Sequence, residues 1–122
     1  MSGKAIVHME IPARDQVKTA SFYHDLFGWE YKNIPEMHYI TFNAGTDQGG
    51  GFPEIDGEMY RPDNVVIYID SDDIDGTLRK IETLGGKTLV PKTSIPGMGW
   101  FAHFADPSGN RIALFTDDMK AG

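Results

Sequence analysis

The stretch AIVHMEI at residues 5–11 alternates, placing Val7, Met9 and Ile11 on one face and Ile6, His8 and Glu10 on the other. A period of two is the signature of a strand. Past Pro12 the period lengthens: Asp15 suits a helix N-cap, Val17, Ala20, Tyr23 and Phe27 recur at helical spacing, and Gly28 stands where a left-handed residue ends a helix. The segments WEYKNI, MHYITFNAG and GGGFPEI follow, divided by turn-forming residues, and read as a meander of short strands.

The same order restarts at NVVIYID. An acidic cap region, DSDDID, precedes a helix carrying Ile74, Leu78, Ile81 and Leu84, which Gly85 and Gly86 close. KTLVP, GWFAHFAD and NRIALFT form a second meander, the last two joined by DPSGN, whose Pro and Gly suit a tight turn. Sliding the chain by 58 residues pairs His8 with Val66, Ile11 with Ile69, Asp15 with Asp73, Leu26 with Leu84 and Gly28 with Gly86. Two βαβββ halves, residues 5–56 and 63–117, therefore make one α+β domain over residues 1–122. A single layer of strands with one helix buries only one face, so pairing two such units predicts a curved, open mixed sheet around a cavity, with helices on the outer face. Val7, Met9, Ile11, Val65, Ile67 and Ile69 should floor the helices, leaving Ile6, His8, Glu10, Val66 and Tyr68 on the cavity side.

Charge and composition narrow the function. With 18 acidic against 11 basic residues and a net charge of −7, the surface disfavours nucleic acid and anionic lipid as partners. No apolar run approaches the length of a membrane span, and the N-terminus lacks the apolar core of a signal peptide, so a soluble cytoplasmic protein is expected. The chain has no cysteine. Any metal would thus need histidine and carboxylate ligands, and the histidines are His8, His24, His38 and His103.

VHMEIPARD, ASFYHDLFGWEY, VVIYIDSDDID with LGGKTL, and GWFAHFADPSGNRIALF, in this order, resemble the vicinal oxygen chelate superfamily of glyoxalase I, bleomycin-resistance proteins and extradiol dioxygenases. The resemblance is strongest to its glyoxalase-like branch of unassigned activity. It implies paired βαβββ modules around an open cavity, often a homodimer, and in many members a divalent metal held by four side chains. Of those four positions, His8 matches the first-strand ligand. The others fall at Asn64, at Ala113 and at about Gly51 or Phe52, with Glu54 the nearest donor but out of register. A zinc- or iron-type ion typically needs three or more protein ligands, so no metal site and no cofactor are assigned.

His8 and Glu10 have two readings: a polar pair on a wet strand face, or the polar end of a cavity, where a ligand could touch both because they stand about 6 to 7 Å apart. On the second reading they are the candidate catalytic pair, the imidazole titrating near neutrality and the carboxyl open to tuning by its surroundings. Phe52, Tyr68, Trp100 and His103 are candidates for the substrate-binding wall, with Tyr39 a further aromatic there. His24 and His38 are expected on the surface. TSIPGMGW, with its glycines and proline, reads as a connection or a lid. GTDQGGG lacks the Lys-Ser/Thr ending and following helix of a phosphate loop, and DSDDID lacks the length of a calcium loop.

The expected function is a glyoxalase-like protein binding a small organic molecule, with metal-independent acid/base chemistry of lyase or isomerase type. A non-catalytic binding protein of bleomycin-resistance type, suited to an aromatic or cationic ligand, is the alternative. A metal-dependent lyase or dioxygenase using His8 with Glu54 or His103 is the third.

Overall fold

A computed structural model describes residues 5–45 and 49–117. The ends of the expected domain and Thr46–Gln48 lie outside them. The described residues form two compact units, one over 7–66 and the other over 67–117 with 5 and 6, and each strand is given below with the unit that holds most of it. Both are α+β and run strand, helix and three strands.

In the first unit β1 (Ile6–Glu10), α1 (Gln16–Phe27), β2 (Glu30–Ile34), β3 (Tyr39–Asn43) and β4 (Gly49–Phe52) give the strand order β2-β3-β4-β1. β1 and β4 are parallel, while β2–β3 and β3–β4 are antiparallel. The Asp15 carboxylate accepts from the Lys18 backbone N–H at the N-terminus of α1, and Gly28 ends the helix at φ 77°, a left-handed conformation open to glycine at little cost. Ala13, Ala20, Ile40, Phe42 and Phe52 form the core, with Ile11, Tyr23 and Trp29 against it. The stripe on α1 is narrower than its periodicity predicts: Ala20 and Tyr23 carry the contact, whereas Val17 and Phe27 are exposed.

The second unit repeats the design with β5 (Val66–Asp70), α2 (Ile74–Thr83), β6 (Lys87–Ile95), β7 (Gly99–Ala105) and β8 (Arg111–Asp117), in the order β5-β8-β7-β6. Asp73 caps α2 through the Gly76 backbone N–H. Ile74 and Leu78 pack on Ala102 and Leu114, with Ile69, Ile81, Trp100 and Phe104 around them, while Leu84 at the helix end is exposed. The Asp106 carboxylate accepts from the backbone N–H groups of Ser108 and Asn110, which fixes the DPSGN turn.

Two expectations need correction. Val7 and Val65 are exposed rather than under a helix, so the floor rests on Ile11 and Ile69. TSIPGMGW is the hairpin connection of β6 and β7 rather than a lid, because Thr93, Ser94 and Ile95 pair with Phe101, Trp100 and Gly99, and residues 96–98 turn. β6 is an edge strand in its unit and shifts register on either side of Val90, which accommodates Pro91 without a lost ladder hydrogen bond. Among the described residues no helix is long and apolar enough to cross a membrane.

Candidate functional site

Three side chains of the first unit form one hydrogen-bonded line. Glu10 and Gly51 are register partners on β1 and β4, and Gly51 in turn faces Thr41 on β3. In-register neighbours point the same way, here away from α1. Tyr39, at the start of β3, lays its ring across Gly51, where a Cβ would collide with the ring and its hydroxyl. The hydroxyl thereby reaches β1. It donates to Glu10 Oε2 at 2.8 Å and lies 2.7 Å from His8 Nε2. The His8 and Tyr39 rings stack at 6.3 Å.

Proton count sets the direction of the line. A phenol has one proton, and here it goes to Glu10, so the oxygen must accept from His8. His8 is therefore the Nε2–H tautomer, with its lone pair on Nδ1. Burial lowers the His8 pKa to about 4, so the ring is neutral at ordinary pH. Burial raises the Tyr39 pKa well above the ordinary phenol range, and the Glu10 charge and hydrogen bond add to it, so the phenol keeps its proton. Glu10 is 4% exposed and His8 is half-buried.

The second unit gathers a different group. His103 and Tyr68 are both register partners of Ala113 and project away from α2. Their rings meet edge to face at 6.0 Å, and Phe101 meets His103 at 5.5 Å. Arg111 Nη1 donates to His103 Nδ1 at 2.8 Å, and burial followed by the Arg111 charge lowers the His103 pKa to about 4.

Two residues expected on a ligand wall lie elsewhere. Phe52 is fully buried on the α1 side, its ring on Tyr23 and Phe42. Trp100 packs toward α2, and Lys92 Nζ stands 4.8 Å from its ring centre. Alternation explains both, since each is one position out of phase with the residues that point away from the helices. His24 and His38 are exposed; His24 bonds the Trp29 carbonyl. Tyr39, read from sequence as one wall aromatic among several, is the residue that joins the pair. Gly51 opposite Glu10 was the available signal, but it needs the register to be read.

The donor set does not fit a zinc-type metal. Gly51 and Ala113 occupy matching rows of the two units and bring no donor, Phe52 is in the core, and His8 Nε2 is directed at Tyr39. Among the described residues no three His, Asp or Glu are grouped to hold an ion.

Comparison with known proteins agrees with the fold. A "Glyoxylase-like domain-containing protein" of Didymella fabae is 33% identical over 92% of this chain and 93% of its own. "Anthracycline biosynthesis protein DnrV" of Streptomyces peucetius is 26% identical over 93% of this chain, which spans 47% of that longer protein. A solved structure, "a glyoxalase/bleomycin resistance protein/dioxygenase superfamily member from Vibrio splendidus 12B01", superposes with a TM-score of 0.66 at 16% identity over 90% of this chain and 97% of its own. The sequence model of that superfamily matches residues 5–114, and the chain belongs to the Glyoxalase/Bleomycin resistance protein/Dioxygenase superfamily.

Proposed function

We propose that the chain binds a small organic molecule and acts on it by metal-independent acid/base chemistry, as a lyase or isomerase. The observation that carries the reading is the line from His8 through Tyr39 to Glu10. His8 Nδ1 takes a proton from a C–H or O–H acid of the bound molecule while its Nε2 proton passes to Tyr39 and the Tyr39 proton passes to Glu10. Reversal returns a proton to the substrate. Because the proton is handed on through Tyr39 to Glu10, no imidazolium has to persist at His8, where burial disfavours it.

A non-catalytic binding protein is the second reading. A buried, mutually bonded polar cluster also serves as fixed structure, which favours it. Its cationic-ligand form has less support, since Lys92 already sits over the Trp100 ring. Pairing into a homodimer belongs to the proposal and is supported by Phe22, Leu26 and Phe27, exposed together on α1.

The experiment is a substrate screen with deuterium wash-in from solvent, run on the parent and on His8→Ala, Glu10→Gln and Tyr39→Phe, beside metal analysis of protein purified without added metal. Loss of turnover in all three, with well under one equivalent of metal in an active parent, supports relay chemistry. Unchanged turnover in the variants removes these residues from catalysis, and a parent that binds without turning over supports the second reading.

A further inference from the structure

The face of the second unit turned away from α2 carries a positive charge whose partner is a neutral ring. Arg111 opens β8 and spends one N–H on His103 Nδ1. That bond fixes the His103 tautomer with its proton on Nε2, so the ring accepts from the guanidinium and carries no charge to repel it. A guanidinium has five N–H donors in a planar fork. Among the described residues no carboxylate lies within ion-pair distance of Arg111, in a chain with 18 acidic residues against 11 basic. The side chain is half-buried, and the Tyr68 and Phe101 rings flank the histidine that holds it. A partly desolvated guanidinium beside apolar rings favours an oxygen anion attached to an apolar body over a hydrated inorganic ion.

We propose that Arg111 anchors a binding site for a small organic carboxylate with an apolar body, and that His103 is the positioning residue that holds its guanidinium. The proposal does not rest on the relay and goes beyond it, since it concerns what is bound rather than how a proton moves.

Calorimetric titration with benzoate, its neutral analogue benzamide and inorganic phosphate tests this. Benzoate binds saturably, benzamide binds tenfold or more weakly, and phosphate at equal concentration does not displace benzoate. Arg111→Gln weakens benzoate by about tenfold or more, the size of one charge-assisted hydrogen bond, and Arg111→Lys loses less. His103→Leu weakens it too, while His103→Gln, whose amide oxygen accepts from the guanidinium, restores most of the affinity at matched folding by circular dichroism. Equal binding of benzoate and benzamide, displacement by phosphate, or unchanged affinity in Arg111→Gln overturns the proposal. Should Arg111→Gln not fold, the Arg111 Nε–H resonance of the parent decides: a saturable shift with benzoate supports the site, and no shift overturns it.

Discussion

The Tyr39 ring occupies the space that a side chain on Gly51 would fill. This absence of a Cβ is what lets a residue of β3 pass over β4 and reach His8 and Glu10 on β1. Gly51→Ala should therefore cost about 1–3 kcal/mol through overpacking and displace the hydroxyl. The cost should largely disappear on a Tyr39→Ala background, where the ring is gone. A double-mutant cycle by urea unfolding reads this coupling; additive costs would mean that the ring and the glycine are not in contact.

Tyr39→Phe keeps the ring and removes only the oxygen. Glu10 then loses a donor in a buried setting, for which roughly 1–3 kcal/mol of stability is expected. If the relay operates, turnover should fall by about two orders of magnitude or more with a much smaller change in KM. A fall in stability without a fall in turnover would assign the line a structural role.

Stability should depend on pH in a defined window. His8 and His103 are each held at about 4, below the ordinary 6.5. On unfolding they return to the ordinary value, so between these limits the unfolded chain binds more protons than the folded one. The stabilisation is complete above pH 6.5 and is lost as pH falls through 4, by at most roughly 3 kcal/mol per histidine. Asp56 and Asp106 are lowered from 3.8 by backbone and Asn110 hydrogen bonds and act only below that window. Urea midpoints from pH 7 to 4 check the sign, and His103→Gln should flatten the slope. A midpoint constant down to pH 4.5 would contradict burial of neutral rings.

Phe52→Ala should cost about 3–5 kcal/mol, the range for a large aromatic removed from a packed core, while leaving ligand affinity in the folded fraction unchanged. A selective loss of binding with intact stability would return Phe52 to a ligand wall and remove it from the core beneath α1.

The repeat of strand, helix and meander is legible in the chain because alternation at residues 5–11, helical spacing after Asp15 and Asp73, and the glycines at helix ends are local signals. Which face a residue takes is harder where two periods meet. Phe52 and Trp100 sit on strands whose phase is set by pairing with Ile40 and Thr116 across the sheet, and local pattern does not carry that register. Val17 and Phe27 match the helical period yet stay exposed, because Ala20 and Tyr23 already cover the sheet beneath α1. His8 and Glu10 were visible as a same-face pair. Their connection through Tyr39 was not, since it depends on a glycine 12 residues away along the chain but adjacent in space.

A directed hydrogen-bonded line runs from a neutral His8 through Tyr39 to Glu10. Nitrogen-15 spectra of the histidine side chains, recorded from pH 8 to pH 4 and assigned with His8→Ala, observe it without knowledge of the substrate. His8 should appear as the neutral Nε2–H tautomer at pH 7 and titrate near pH 4, and Tyr39→Phe should change its Nε2 resonance. A His8 that carries its proton on Nδ1, or titrates at its ordinary value near 6.5, would contradict the account.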